Sequence, residues 1–135
     1  MDPHDPWGVL SLSLTLYDDL WRVKKVLTED DTSIKNGLVL RKKVVAEMLL
    51  PVLGENDERD AQTADGAELW FWDIDTQSLH QLFLKKEASS GPYKITRRWN
   101  QEFNKRRKLQ ANDEIGLQWD RDNVHFNFSV IKRAD

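Results

Sequence analysis

The chain contains no cysteine, which excludes disulfide staples, thiolate metal sites and cysteine nucleophiles. No apolar run reaches the roughly 18 residues a membrane-spanning helix needs, so no membrane partner is expected. The N-terminus has neither a basic region nor a small-residue cleavage site, so the expectation is an intracellular protein without a secretory signal. Histidine is sparse: His4, His80 and His125 lie far apart and fall in no metal-ligand spacing. The six glycines are scattered, so no phosphate cradle forms. Asp73 and Asp75 share a strand face but lack the glutamate–x–lysine partner of a metal-dependent nuclease. Glu55, Asp57, Glu58 and Asp60 lack the ordered ligand spacing of a calcium loop. The chain is therefore expected not to be an enzyme, with no cofactor and no metal.

What is present is one domain's worth of ordinary globular sequence: 135 residues, 39% hydrophobic and 32% charged. The net charge of -3 hides segregation. Residues 1–20 carry four acids and no base, and residues 21–50 carry seven bases and four acids. Residues 51–75 carry eight acids and one base, residues 85–108 nine bases and two acids, and residues 109–135 five acids and three bases. Local fields, not the net charge, steer a polyanion. Two basic segments split by an acidic one fit a molecule with one cationic side, and equally an ordinary domain with solvated faces.

Period-2 alternation dominates the chain. Leu10, Leu12, Leu14 and Leu16 alternate with Ser11, Ser13 and Thr15. Trp21, Val23, Lys25 and Leu27 alternate less cleanly with their neighbours, and 69–74 is apolar on both faces except at Asp73, which predicts a well-buried strand. Ile115, Leu117 and Trp119 line one face; Val124, Phe126, Phe128 and Val130 line another, with a hairpin signal at Asp120-Arg121-Asp122-Asn123 between them. Two stretches have helical spacing. Val44, Val45, Met48 and Leu49 mark a short helix stopped by Pro51. Trp99 and Phe103, four apart, mark a second, with Thr96 as N-cap, Lys105 to Lys108 in its last turns and Asn112 in a left-handed exit. The polar, acidic stretch from Gly54 to Gly66 predicts a surface loop. The fold class is mainly β: about seven strands with two short helices, in a barrel or closed sandwich. Six tryptophans are many for this length; Trp70, Trp72, Trp99 and Trp119 fit core packing better than base stacking. Lys105-Arg106-Arg107-Lys108 has the look of a nuclear import patch.

Three phrases, in order, resemble the plant B3 (B-three) DNA-binding domain, the pseudobarrel of auxin response factors and abscisic-acid-insensitive regulators. Lys25-Val26-Leu27-Thr28-Glu29-Asp30-Asp31 is similar to the family's first strand and its exit. Asn36-Gly37-Leu38-Val39-Leu40, followed by Ala46-Glu47 and Leu50-Pro51, resembles its second strand and first helix. Tyr93-Lys94-Ile95-Thr96 with Trp99, Phe103, Lys108-Leu109 and Asp113-Glu114-Ile115 resembles its fifth strand, second helix and entry to the sixth. The match covers about 21–133, leaving 1–20 as an N-terminal extension that reads as an extra strand, and is closest to a plant-specific subgroup of unknown function.

The resemblance implies a seven-stranded open pseudobarrel with two short helices that grips the DNA major groove between two arms. One arm is about Thr28 to Leu38, the other about Lys85 to Tyr93. It implies DNA contacts by Lys35 and Asn36 in the first arm, by Lys85, Lys86, Ser89 and Ser90 in the second, and by Lys94 and Arg97 beyond it. Cations would neutralise phosphates and release counterions, and an asparagine can pair bidentately with adenine. Departures from the family pattern are Gly37 in place of arginine, Arg41 in place of proline, His80, Gln81 and Phe83 where tryptophan and arginine are frequent, and Glu87-Ala88 in place of tryptophan–asparagine. They imply a different target sequence. The leading expectation is sequence-selective binding of double-stranded DNA by part of a plant transcription regulator in the nucleus. The alternative is a pseudobarrel that has lost DNA readout and serves protein–protein interaction, with a protein partner or a homodimer; the acidic stretch 54–66 and the net charge of -3 favour it, and 10–16 could be its partner-pairing strand, although an extra strand of the barrel is the preferred reading there.

Overall fold

The computed structural model of the chain describes residues 21–33, 37–87, 91–96 and 98–134. The strand expected at 10–16 lies outside them. Seven strands form one curled sheet: β1 (Val23–Val26), β2 (Leu38–Leu40), β3 (Ala67–Asp73), β4 (Ser78–Lys86), β5 (Tyr93–Thr96), β6 (Glu114–Asp120) and β7 (His125–Lys132). Their order in space is β1-β6-β7-β3-β4-β5-β2, and β3–β7 is the one parallel pair among antiparallel neighbours. The short β1 and β2 are the sheet's two edges. Curling brings them close enough for the Lys25 ammonium on β1 to donate to the Val39 carbonyl on β2. A side chain, not a ladder, bridges the seam, which makes this the open pseudobarrel that the family resemblance implies.

The elements follow from their residues. The expected hairpin joins β6 and β7, and Asp120 explains the turn: its carboxylate accepts the backbone N–H groups of Asp122 and Asn123, both at 3.1 Å. The first helix, α1, runs as Lys42–Val44, widens over Val45–Leu49 and tightens at Leu50–Val52, where Pro51 ends it. Val45 and Leu49 are buried, with Val44 and Met48 packed half-buried against the core. The last helix, α3 (Asn100–Lys105), lays Trp99 and Phe103 into the barrel. There Phe103 packs 4.4 Å from Phe128 and 5.4 Å from Trp99, and Phe71 stacks on Phe126 at 5.5 Å. Aromatic pairs at these separations add to area burial. Asn112 has the expected left-handed backbone, φ 77°.

Three expectations need correction. The stretch from Gly54 to Gly66 is not all loop: Glu55–Asp60 forms a helix, α2. It has no apolar stripe to betray it; its acids Glu55, Asp57 and Glu58 fall in the first turn, where negative charge complements the helix dipole, and Arg59 falls in the last. Besides the single 3-10 turn at Asp30–Thr32, there are thus three short helices among the described residues. Thr96 does not cap α3. It is the last residue of β5, opposite Phe83 on the long β4, and α3 starts from a helical Trp99 with no side-chain cap. Finally, β3 is buried on one face only: Ala67, Leu69, Phe71 and Asp73 point inward, while Trp70 is 43% exposed and Trp72 half-buried. The outer face of a singly curled sheet stays wet, so Trp70 is not a core residue.

Asp73 is the polar anchor of α3. Fully buried, it accepts from Arg106 at 2.6 Å and from Arg107 at 2.7 and 2.6 Å. Arg107 also reaches Asp75, which accepts from Ser129. The two arginines of the run Lys105 to Lys108 therefore turn inward, leaving Lys105 and Lys108 toward solvent. Burial pushes the Asp73 carboxyl up, but hydrogen bonds and charge from Arg106 and Arg107 outweigh it and hold the group below the usual carboxylate range. A depressed folded-state pKa contributes stability that is complete above the unfolded value of about 3.9 and is lost as pH falls through the folded one. Urea unfolding followed by tryptophan fluorescence should show stability falling below about pH 4. Asp73→Asn should cost about 3 kcal/mol near neutral pH and flatten that acid slope; an unchanged slope would remove Asp73 from the acid response.

Candidate nucleic-acid interface

Two connections flank the short β2–β5 pair. That pair sets Leu38 opposite Ile95 and Leu40 opposite Tyr93. The first connection leaves β1 after Val26 and enters β2 at Leu38; the second leaves β4 after Lys86 and enters β5 at Tyr93. They therefore meet the pair at its opposite ends, like two jaws. These spans coincide with the two expected arms.

The first jaw is rigid at its root because of Asp31. Its fully buried carboxylate accepts from the backbone N–H of Thr28 at 2.9 Å, the N–H of Val39 at 3.0 Å and the Lys25 ammonium at 2.9 Å. The Thr28 hydroxyl adds a fourth donor at 3.0 Å. The Asp31 carbonyl accepts the Trp99 indole N–H at 2.9 Å, and the Thr32 carbonyl accepts from Asn104 at 2.8 Å. One turn, Asp30–Thr32, is thus tied to β1, β2 and α3 at once. Its chain returns through Gly37, which is pressed so closely on β5 that a Cβ would lie 2.2 Å from the Ile95 carbonyl oxygen. No side chain fits there, which accounts for glycine at that departure from the family pattern.

The second jaw is rooted in charge. Lys85 and Lys94 stand directly opposite each other across β4 and β5. Like charges so placed repel, and Glu87 relieves this by pairing with the Lys94 ammonium at 2.6 Å. Lys85 and Lys86 make no ion pair among the described residues, and as successive strand positions they belong to opposite pleat faces. The acidic α2 packs beside this root: the Ala61 carbonyl just past the helix accepts the Lys86 N–H at 2.9 Å. Burial first, and then the field of Glu58, push the Tyr93 phenol above its usual range. Acidic surface therefore adjoins the second arm, where the sequence alone gave no neighbour for it.

Of the expected contact residues, the structure brings together Lys85 and Lys94, neutralises the latter, and sets Lys86 on the other pleat face. Lys35, Asn36, Ser89, Ser90 and Arg97 lie outside the described residues. Among the described residues no group of three or more histidines and carboxylates converges to hold a metal ion. Sequence reasoning overlooked Asp31. The signal was there: Thr28-Glu29-Asp30-Asp31 has the spacing of a reciprocal cap, a hydroxyl and an acid three residues apart. Asp31→Ala would strand the Lys25 ammonium and the N–H groups of Thr28 and Val39. It should cost about 3–5 kcal/mol in urea unfolding and speed exchange of the Val39 amide; a loss under about 1 kcal/mol would mean the seam is held elsewhere.

Comparisons with known proteins agree on one family. The profile described as "B3 domain-containing protein At5g26805, C-terminal domain" matches residues 21–131. The Arabidopsis thaliana B3 domain-containing protein At5g26805 is 30% identical over 111 residues, 82% of this chain and 70% of that protein. Putative B3 domain-containing protein At1g78640, from the same plant, is 33% identical over 116 residues, 85% of this chain but 23% of that protein, so the chain spans about a quarter of that relative's length. Among solved structures, the one titled "Arabidopsis FUS3-DNA complex" superposes with a TM-score of 0.63 at 18% identity, covering 83% of this chain and 97% of that one.

Proposed function

The chain belongs to the B3 domain family, and from that premise we propose that it binds double-stranded DNA sequence-selectively, with its two arms in the major groove, as part of a plant transcription regulator acting in the nucleus. The observation that carries this reading is the pair of jaws at opposite ends of β2–β5, one of them bearing Lys85 and Lys86 with no competing acid on either side chain among the described residues. The solved structure with the same fold is titled as a DNA complex, which supports the same partner here. In this reading Lys85, Lys86 and Arg97, and Lys94 once it exchanges Glu87 for DNA, neutralise phosphates, Ser89 and Ser90 donate to phosphates or base edges, and Lys35 and Asn36 act from the first arm, with Asn36 reading a base.

One observation favours a second reading, a pseudobarrel turned to protein partners. The Glu87–Lys94 pair and the acidic α2 both reduce the positive field at the second arm. The two readings part in a single titration. Fluorescence anisotropy of the chain with a randomised duplex pool, repeated at several salt concentrations, should show log affinity falling with log salt at a slope worth about 3–6 phosphates. Absence of binding even at low salt would overturn DNA binding and leave the protein-partner reading.

Variants sharpen it. Lys85→Glu with Lys86→Glu should weaken binding to all sequences and lower the salt slope by about 1 for each phosphate no longer neutralised. Glu87→Gln frees Lys94 and should tighten binding several-fold, measured in the same titration. Asn36→Ala, scored against a selected target, should relax choice at one base pair by about 1–3 kcal/mol. Uniform weakening across all positions would instead assign Asn36 to the backbone.

A further inference from the structure

Between the jaws the barrel is open. A cleft of about 480 Å³ runs along the seam from Thr28, at the root of the first arm, to Pro92, at the root of the second. Its charged lining is Lys24, Lys25, Arg41 and a single acid, Glu114. These cations divide sharply. Lys25 points to the inner side of β1 and is consumed by Asp31. Lys24 and Arg41 are exposed and make no ion pair or hydrogen bond through their side chains among the described residues. Lys42 and Lys43, equally exposed and unpaired among those residues, continue the line onto α1.

Helix stability does not explain these residues. Arg41, Lys42 and Lys43 begin a helix, where positive charge opposes the dipole, and the first turn carries no acid to offset them. Several other exposed or half-buried cations acquire partners: Lys94 has Glu87, Arg98 has Glu102, and Arg106 and Arg107 have Asp73. An unpaired row along a cleft open to solvent is the arrangement that attracts a polyanion. Its neighbour on the far side of the second arm is the acidic α2, so acids border that arm on one side and the seam cations on the other.

We propose that the seam is a third DNA contact, in which Lys24 and Arg41 seat phosphates of the strand that crosses from one arm to the other, while Lys42 and Lys43 carry the duplex onward over α1 and α2 repels it from the opposite side. The inference rests on the DNA-binding reading above, and adds a contact surface outside both arms. Arg41 stands where the family resemblance has proline in many members, so the guanidinium is not a general feature of the fold. A guanidinium suits the role, since it presents a planar fork to phosphate oxygens.

The test uses the whole chain and the randomised duplex pool in anisotropy titrations at several salt concentrations. Lys24→Gln with Arg41→Gln should lower the salt slope by about 2, at about 0.9 per phosphate, with the thermal unfolding midpoint unchanged. Arg121→Gln, which removes an exposed charge at the β6–β7 turn, controls for net charge and should leave the slope as it was. A further pair, Lys42→Gln with Lys43→Gln, should weaken binding to duplexes of about 24 base pairs more than to those of about 12, because at about 3.4 Å per base pair along each strand only the longer reaches past the arms. An unchanged slope in the Lys24 and Arg41 variant, or an equal fall in the Arg121 control, overturns the seam contact. If Lys85→Glu with Lys86→Glu still weakens binding in that case, the arms remain the site and only the seam falls. If the unaltered chain binds no duplex, both fall together.

Discussion

A buried carboxylate closes this barrel. The edges β1 and β2 form no ladder with each other, yet the seam between them must not drift, because the first jaw spans it. Asp31 solves the problem with the acceptor capacity of one side chain: two N–H groups, a hydroxyl and an ammonium converge on its two oxygens. The donors come from three places along the chain, Lys25 on β1, Thr28 at the turn and Val39 on β2. The residue's own carbonyl then takes the indole of Trp99. Barrel closure, the root of the first arm and the seating of α3 are therefore a single event. A neutral amide could not serve as well, since it would trade one acceptor oxygen for a donor group facing other donors.

The helix α3 is the second consequence. Its apolar side, Trp99 and Phe103, fills the aromatic core against Phe71 and Phe128. Its polar side is tied at three places: Asn104 to the first turn, Glu102 to His80 on β4 at 2.8 Å, and Arg106 and Arg107 to Asp73 on β3. Apolar burial alone would let a helix this short roll. The directional ties fix its rotation, and through Trp99 they fix the turn that carries the first arm.

Much of this was legible in the residues. Alternation at Ile115, Leu117, Phe126 and Phe128 marked the terminal hairpin, and the four-residue spacing of Trp99 and Phe103 marked α3, because in both the apolar period matches the backbone period. What escaped was whatever depends on partners distant in the chain or on something other than apolar period. α2 is built on dipole complementarity, not on a stripe. Thr96 has the chemistry of a cap but was claimed by the β4 ladder. Trp70 alternates with buried neighbours, and alternation cannot say which face of a strand a second layer will cover. Asp31 carried a local signature, but its reach to Val39 and Trp99 exists only after folding. The arms were placed by their likeness to a family; five of their eight expected contact residues, Lys35, Asn36, Ser89, Ser90 and Arg97, fall outside what the structure describes.

Charge along the chain proved a poor guide to charge on the surface, and the reason is general. The stretch 85–108 holds nine bases against two acids, while 21–50 holds seven against four. Counted along the sequence, the former is the nucleic-acid face. Folding narrows that difference. In the former, Lys94, Arg98, Arg106 and Arg107 find carboxylates, two of those carboxylates, Asp73 and Asp75, coming from the acidic stretch that precedes it; Lys85, Lys86, Lys105 and Lys108 form no ion pair among the described residues. In the latter only Lys25 is consumed among the described cations, leaving Arg22, Lys24, Arg41, Lys42 and Lys43. The acids Asp73 and Asp75 lie where the sheet meets α3, so they bind the cations of α3 and cannot reach the seam. A polyanion meets only the charges that folding leaves unpaired, and among the described residues the two basic segments leave nearly equal numbers, four on 85–108 and five on 21–50.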